Sequence, residues 1–407
     1  MILFKTRVQR GVPLLCAALC VSACQLEDRL GGPDGGLSAD HSGVPFAVGL
    51  ASPVWQARAA VLVSQAGFSP LAAGHAYPLL GVAQYRAVQQ AEASGGRSEL
   101  ELDRGAVAGA SVIVLSYLFP TQAQTLEELV TAQANAGPGG VHPAFTRGEA
   151  IGRAAGAQIV AYAQTDGFST PFTGPFLTGP GLWTSNTTPP TFAGGSLPHT
   201  TPWFLSAANQ FRPGPPPAFG SPEYSAALAE IRQLSDTRTG EQRQIAAFWA
   251  LNAGTPTASG FWLGVATDKI TQQGLSEREA THIYALVSAT MLDALIGCWD
   301  AKQAYWFVRP WQADLGIVVV PEVGKPNHPS YPSGHSCVSS SAAAVLASFF
   351  PEDQARLDAM VVEAGLSRMY GGIHYRFDID AGRQLGQRVA ALAIAADAAS
   401  NSILTPR

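Results

Sequence analysis

A long segment that cannot be helical divides this chain, and it constrains the fold more than any other feature. Residues 165–222 contain twelve prolines, including Pro189-Pro190 and Pro215-Pro216-Pro217, together with many glycines. Proline lacks a backbone N–H and clashes with the preceding helical turn, so this segment predicts a long loop. The large side chains of Trp183 and Trp203 favour a packed loop over disorder. Long ordered loops often cover active sites, and a surface wrap without a catalytic role is the alternative.

On both sides of this segment, apolar residues recur with the period of a helix, and no stretch alternates as a strand does. Helices are predicted from about residue 52 onward, with patterns at 79–88, 106–118, 126–136, 148–163, 224–234, 241–252, 334–350, 352–366 and 381–398. Ser276 and Glu279 form a capping-box signature that opens another long helix. Its apolar positions lie on one stripe, which places Lys302 on the inward face. The prediction is an all-α fold.

The N-terminal residues predict export. Lys5, Arg7 and Arg10 precede an apolar run at 12–24 that is too short to span a membrane and fits a signal peptide. The run ends in Val21-Ser22-Ala23-Cys24, which resembles a bacterial lipobox, where the cysteine is lipidated and becomes the mature N-terminus. An ordinary cleaved signal peptide is the alternative. We expect a location in the bacterial periplasm or cell envelope, with a lipid anchor at Cys24.

The domain prediction follows from these boundaries. Residues 1–24 form the signal peptide, residues 25–43 a flexible tether, and residues 44–407 one helical catalytic domain. No run of 18 or more apolar residues follows the leader, so we expect a soluble body. The net charge of −5 argues against nucleic-acid binding, which needs clustered excess Lys and Arg. Cys298 and Cys337 remain in the body, either as a disulfide or as two buried free thiols.

Three polar segments of the C-terminal third carry the chemistry. They are Lys302-x6-Arg309-Pro310, Pro332-Ser333-Gly334-His335 and Ser367-Arg368-x5-His374-x3-Asp378. Each segment alone is commonly a solvated helix face or a turn. Their co-occurrence in this order predicts one site for a phosphate-shaped oxyanion.

Cationic side chains and a helix start suit such an anion. Arg309 and Arg368 can offer bidentate forks, and Lys302 can offer a point charge. Ser333 and Gly334 stand at a predicted helix start, where free backbone N–H groups favour anions. The missing side chain of the glycine lets an oxyanion approach the backbone.

Two histidines supply the candidate reactive nitrogens. His335, on the first turn of its predicted helix, is placed for acid–base chemistry. Asp378 lies one helical turn after His374, so it can hold one ring nitrogen and direct the other toward the oxyanion. No GxSxG elbow surrounds Ser333, and no HExxH or EF-hand pattern occurs, so neither a serine hydrolase nor a conventional divalent metal site is predicted.

These segments resemble the signature shared by vanadium-dependent haloperoxidases and the type 2 phosphatidic-acid phosphatase (PAP2) superfamily. Residues 367–378 are very like the haloperoxidase version, and Trp299, three residues before Lys302, is similar to the same branch. Residues 211–216 and 242–250 resemble bacterial haloperoxidase-like proteins. The resemblance covers roughly residues 52–399. It implies a helical bundle of the vanadium haloperoxidase and PAP2 type, with the Pro/Gly-rich loop covering the site.

In the haloperoxidase family the bound oxyanion is vanadate, with one histidine nitrogen bonded to vanadium, and by motif position that ligand is His374. The resemblance implies that hydrogen peroxide oxidises a halide there, and that His335 hydrogen-bonds the apical oxygen. The resemblance also implies that the equatorial oxygens are held by Lys302, Arg309, Ser333, Gly334 and Arg368. His328 resembles the extra histidine of bromide- and iodide-oxidising members, so we expect one of these halides rather than chloride. The alternative for His328 is a solvated loop residue.

The phosphatase branch of the superfamily uses the same residues for different chemistry. There phosphate occupies the site, His374 forms a phosphohistidine, and His335 protonates the leaving oxygen of the ester. Only 31 residues separate His335 from Ser367, a short spacer that is typical of compact acid phosphatases. An exported acid phosphatase is therefore the alternative function, and a non-catalytic oxyanion-binding lipoprotein is the third.

The resemblance carries two further expectations. Dimerisation is common in the family, which makes a homodimer an option for this chain. Family members often hold their arginines with an acidic residue from the region of Glu241. The simpler interpretation is that Glu241 is an acidic residue that stabilises the N-terminus of its own helix.

Overall fold

A computed structural model describes residues 49–95, 99–136, 140–399 and Leu404, all of which fall in one compact unit, 46–407. The predicted signal peptide, the tether and Cys24 lie outside the described residues. The described part contains thirteen α-helices and no sheet, which confirms the all-α prediction. The helices are α1 Ala51–Gln65, α2 Pro70–Gly95, α3 Leu100–Leu118, α4 Ala123–Ala134, α5 Pro143–Ala163, α6 Pro222–Thr237, α7 Gly240–Phe248, α8 Thr257–Gln273, α9 Glu277–Tyr305, α10 Pro310–Ala313, α11 Gly334–Phe349, α12 Gln354–Tyr370 and α13 Arg376–Ala398.

Helix α9 is the centre of the bundle and contacts α2, α8, α11 and α13. The predicted capping box is present, with Ser276 accepting from the Glu279 backbone N–H and Glu279 accepting from that of Ser276. The single apolar stripe was wrong, because α9 is buried on nearly all faces, including Asp293 and Thr290. By length and composition this helix could cross a membrane, yet 94% of its apolar window is buried inside the protein.

Some of the predicted helix boundaries differ from the structure. Helix α7 ends at Phe248 instead of residue 252, and Leu251, inside the predicted range, adopts a positive φ of 44° that no helix continues through. Helices α1 and α8 had no predicted bounds of their own. The last two helices begin and end within a few residues of the predicted patterns, apart from the first turns of α13, which already start at Arg376.

The proline-rich segment forms a strap, residues 164–221, whose only helical part is the 3₁₀ turn Leu197–His199. Its aromatic residues pack as expected, and Trp183 is fully buried against Trp306. The strap is attached to α9 through carboxylates. Asp293 accepts the backbone N–H groups of Trp203, Phe204 and Leu205 at 2.7–2.9 Å. Further along α9, Asp300 forms a two-bond ion pair with Arg212 of the strap.

Candidate active site

The three signature segments meet at the C-terminal end of α9. Lys302 lies in its last turn, and Arg309 precedes the short helix α10. Ser333 is the N-cap of α11, where its Oγ accepts from the Ser336 backbone N–H. Arg368 lies in the last turn of α12. His374 follows in the connecting loop, and Asp378 occupies the first turn of α13.

His374 is held in one tautomer by its two neighbours. Its Nδ1 lies 2.7 Å from Asp378 Oδ2, and its Nε2 lies 3.1 Å from Arg309 Nη1. A guanidinium can only donate, so Nε2 accepts and Nδ1 carries the proton that Asp378 accepts. Burial, followed by the charges of Arg309 and Lys302, lowers the pKa of His374 well below its ordinary value. The ring is therefore neutral, with its lone pair on Nε2.

Asp378 is fully buried and accepts hydrogen bonds from other groups besides His374. Its Oδ2 also accepts from Ser330 Oγ at 2.6 Å and from the Tyr375 backbone N–H at 3.1 Å. Its backbone carbonyl accepts from Ser333 N, which ties the start of α13 to the start of α11. Burial raises the pKa of Asp378 to about 6. Ser330 carried no sequence signal, since no motif position marks it.

Arg309 contacts both histidines that flank it. Besides His374 and the Ile373 carbonyl, it donates from Nε to the His328 carbonyl at 2.9 Å and from Nη2 to His328 Nδ1 at 3.0 Å. His328 Nδ1 also lies 3.2 Å from the Pro329 carbonyl, so this nitrogen stands between a guanidinium donor and a carbonyl acceptor. The His328 ring also lies against Trp299, with ring centroids 4.9 Å apart. The structure thus brings His328 into the constellation.

Arg368 and His335 are held by main-chain carbonyls of the α7 region. Arg368 donates from Nη2 to the Ala246 carbonyl at 3.1 Å and from Nε to Ser367 Oγ. His335 Nε2 lies 2.9 Å from the Trp249 carbonyl, so Nε2 carries the proton. Glu241 is exposed in the first turn of α7, in agreement with its simpler interpretation.

Lys302 contacts the segment that leads into Ser333. Its ammonium donates to the carbonyls of Pro329, Ser330 and Pro332, with the first two bonds at 2.8 Å. These three bonds use all of its N–H donors. In this arrangement Lys302 holds the segment that precedes Ser333 and adds a fully buried positive charge there.

Gly334 and the cysteines complete the surroundings. A Cβ at Gly334 would lie 3.2 Å from the Trp299 ring, so this ring packs directly on the glycine backbone. Trp299 also donates from Nε1 to the Ala193 carbonyl at 2.8 Å, which brings the strap over the site. Cys298 and Cys337 are both buried and free, so of the two open alternatives the structure has the thiols.

The site carries excess buried positive charge. Lys302, Arg309 and Arg368 are each at most 1% exposed, and among the described residues none of them forms an ion pair with a carboxylate. Burial lowers their pKa values to about 8, about 10 and about 9 respectively. Asp378 is the one buried carboxylate among the signature residues, and its close partner is His374. Uncompensated buried cations are costly, so this site fits an anion with several oxygens.

Comparisons with known proteins agree with this fit. The family model of the PAP2 superfamily matches residues 280–401, which include all three signature segments. The "Non-specific acid phosphatase" of Providencia stuartii is 31% identical over 113 residues, 27% of this chain. The chain spans 45% of the length of that relative. The similarity to the PAP2 superfamily therefore lies in the C-terminal part of the chain, where the signature segments are.

Two solved structures share the fold over most of its length. A bacterial vanadium-dependent iodoperoxidase superposes with a TM-score of 0.70 at 22% identity, covering 85% of this chain and 96% of that one. A holo-type bacterial vanadium-dependent chloroperoxidase superposes with a TM-score of 0.65 at 15% identity, covering 83% and 93%. The fold is that of the vanadium haloperoxidases, which confirms the fold that the sequence predicted.

Proposed function

We propose that this chain is a vanadate-dependent haloperoxidase that oxidises bromide or iodide with hydrogen peroxide. The observation that carries the proposal is the cluster of three buried cations around a neutral histidine whose unprotonated nitrogen accepts from Arg309. A fold likeness that covers 85% of the chain supports this branch of the superfamily.

The residues present fit vanadate as well as phosphate. His374 Nε2 would bind the central atom, because Asp378 keeps the other ring nitrogen protonated. Arg309 and Arg368 would offset the charge of the oxyanion, and the backbone N–H groups at the start of α11, from Gly334 onward, would receive its oxygens. Vanadate, when bound, activates hydrogen peroxide for attack by a halide without a change in the oxidation state of vanadium.

The protein's own residues move the protons of this reaction. His335 donates its Nε2–H to the Trp249 carbonyl, so its Nδ1 is the nitrogen that takes up and returns a proton. Burial, followed by the charge of Arg368, lowers the pKa of His335 and keeps the ring neutral and able to accept. In the tautomer that accepts from Arg309, His328 has its ring proton on Nε2, and this N–H suits a halide anion held between the Trp299 ring and Arg309.

A second candidate function has its own support. The chain is similar in sequence to an acid phosphatase over 113 residues, and its spacer between His335 and Ser367 is short. In that case His374 Nε2 attacks a phosphate ester and becomes phosphorylated, and His335, after Nδ1 has taken up a proton from water, delivers it to the leaving alcohol oxygen. Water then releases phosphate from His374.

An activity split on the protein stripped of bound oxyanion tests the two functions. One portion receives orthovanadate, hydrogen peroxide and bromide or iodide with a phenolic halogenation indicator. The other receives a chromogenic phosphate monoester without vanadate. Vanadate-dependent halogenation that phosphate suppresses supports the haloperoxidase. Ester hydrolysis that vanadate inhibits, without halogenation, replaces it with the phosphatase.

The remaining expectations stand as proposals of the same kind. We propose export to the periplasm or cell envelope and a lipid anchor at Cys24, on the basis of the leader sequence. Radiolabelled fatty acid incorporated into the wild-type chain and absent from Cys24→Ser supports the anchor. Equal labelling of the two chains contradicts it. Sedimentation of the purified protein tests whether it forms a homodimer.

A further inference from the structure

The end of helix α7 holds two residues of the site. The carbonyls of the last helical turn have no intrahelical partner and carry partial negative charge. Here the Ala246 carbonyl accepts from Arg368, and the Trp249 carbonyl, directly after the helix, accepts from His335. No signature segment includes this turn, and the early end of α7 at Phe248 is what frees these carbonyls.

We propose that Trp249 is a positioning residue for His335, and that Glu363 positions Trp249 by accepting its indole N–H. The inference rests on the proposed acid–base role of His335. It is independent of whether the bound oxyanion is vanadate or phosphate, since both functions use this histidine.

Trp249 is hydrogen-bonded to α12 and packs against α8. Its side chain is fully buried, and its Nε1 donates to Glu363 Oε1 at 2.8 Å. Glu363 lies on α12, five residues before Arg368. The Trp249 ring packs against Phe261 and Trp262, with centroids 5.0 and 6.4 Å away.

The neighbouring tryptophan extends this connection to α11. Trp262 donates from Nε1 to Ser339 Oγ at 3.1 Å, and Ser339 lies one helical turn after His335. The carbonyl of Trp249 therefore has a fixed position relative to α11 and α12 alike. A main-chain acceptor placed in this way cannot rotate away as a side-chain acceptor can.

The carbonyl decides which nitrogen of His335 does the chemistry. Because it only accepts, Nε2 keeps its proton, and the neutral ring has its lone pair on Nδ1. When Nδ1 takes up a proton the ring becomes an imidazolium, and the same Nε2–H bond to a carbonyl then stabilises the cation. Loss of this bond would let the ring turn and would misplace Nδ1.

The test uses the full chain and two readouts. Trp249→Phe removes the indole N–H and keeps an aromatic ring. Glu363→Leu removes the acceptor, whereas Glu363→Gln keeps a carbonyl oxygen that can accept. The first readout is the ring N–H signal of His335 in oxyanion-free protein with ¹⁵N-labelled histidine, assigned by its absence in His335→Ala. The second is kcat and KM in whichever assay the wild type supports.

Trp249→Phe and Glu363→Leu are expected to lose the His335 ring N–H signal to exchange with water. Their kcat should fall about tenfold with KM changed less than about twofold, since a misplaced acid–base group affects the chemical step. Glu363→Gln should retain the signal and stay within about twofold of wild-type kcat. Trp55→Phe is the matched control, because Trp55 is also buried and donates its Nε1–H to a side chain, Gln133, on α4.

The outcomes separate positioning from general stability. A His335 signal and a kcat that survive both Trp249→Phe and Glu363→Leu overturn the proposal. So does an equal loss in Trp55→Phe, which would mean that any destabilised core has this effect. If Trp249→Phe fails to fold, the Glu363→Leu and Glu363→Gln pair decides. If neither activity is found, the proposed function fails, and the His335 signal still decides the positioning role.

Discussion

His374 Nδ1 and Asp378 Oδ2 lie 2.7 Å apart across one turn at the start of α13, and this bond leaves Nε2 of the histidine as an acceptor. Arg309 occupies that acceptor position in the structure. An oxyanion that binds there would exchange one charge-assisted contact of Arg309 for others. The pair is therefore the centre of the candidate site under either function.

His374→Ala is expected to remove activity in both candidate reactions, by about 10³-fold or more, because it deletes the ligand or nucleophile. Initial rates of halogenation and of ester hydrolysis measure the effect. Circular dichroism of the variant controls for folding. Rates near those of the wild type would refute the assignment of His374.

Asp378→Asn is expected to lower kcat by about 10²–10⁴-fold, because an amide in place of the carboxylate no longer fixes the tautomer of His374. Burial raises the pKa of Asp378 to about 6. Below that pH the wild-type carboxyl takes up a proton and loses an acceptor, so activity should fall as the pH falls through about 6. A pH–rate profile measures this limb. If Asp378→Asn keeps the same acidic limb of the pH–rate profile, this limb belongs to another titrating group.

Arg368→Ala is expected to weaken the binding of orthophosphate or orthovanadate by roughly 10- to 100-fold, since charge-assisted hydrogen bonds contribute about 1.5–3 kcal/mol. Isothermal titration calorimetry of each anion measures the dissociation constant. Arg376→Ala is the matched control, because it removes the same charge from an exposed pair with Glu230. Unchanged binding in Arg368→Ala would place this arginine outside the site.

His328→Ala is expected to change the turnover of bromide and iodide while vanadate binding stays within about threefold, because the residue contacts Arg309 without contacting His374 directly. Steady-state rates with each halide and a vanadate titration measure the two effects. Loss of vanadate binding would contradict a role confined to the halide.

Glu277→Gln is expected to change how stability depends on pH. Glu277 is buried beneath the start of α1, where it accepts from Ser52 Oγ at 2.6 Å, and burial raises its pKa from 4.5 to about 7. Between these pH values the folded state holds a proton that the unfolded state has released. The free energy of unfolding should therefore fall as the pH rises from about 4.5 to about 7.

Urea unfolding at several pH values measures this trend. The Gln variant cannot titrate, so its stability should be flatter across the same window. Glu279→Gln, an exposed residue of the neighbouring capping box, should leave the trend in place. A wild-type slope in Glu277→Gln would assign the trend to other buried carboxyls such as Asp293, whose pKa burial raises to about 6.

The sequence by itself determined the helical class, the non-helical strap and the residues that gather at the end of α9. Those features depend on signals within a few positions, such as apolar periodicity, proline and the Ser276–Glu279 capping box. The site residues could also be identified, because the order and spacing of the motifs specify which side chains can meet. The His374–Asp378 bond could be predicted for this reason, as a contact across one helical turn.

Only the tertiary structure decided how the donors of the site are used. Lys302 gives its three N–H groups to carbonyls 27 to 30 residues away, and Arg368 and His335 use carbonyls of the α7 region, 122 and 86 residues away. Main-chain acceptors leave no mark in the side-chain sequence, since every residue has a carbonyl. Which carbonyl is free depends on where a helix ends and what packs beside it, and packing of distant segments sets both.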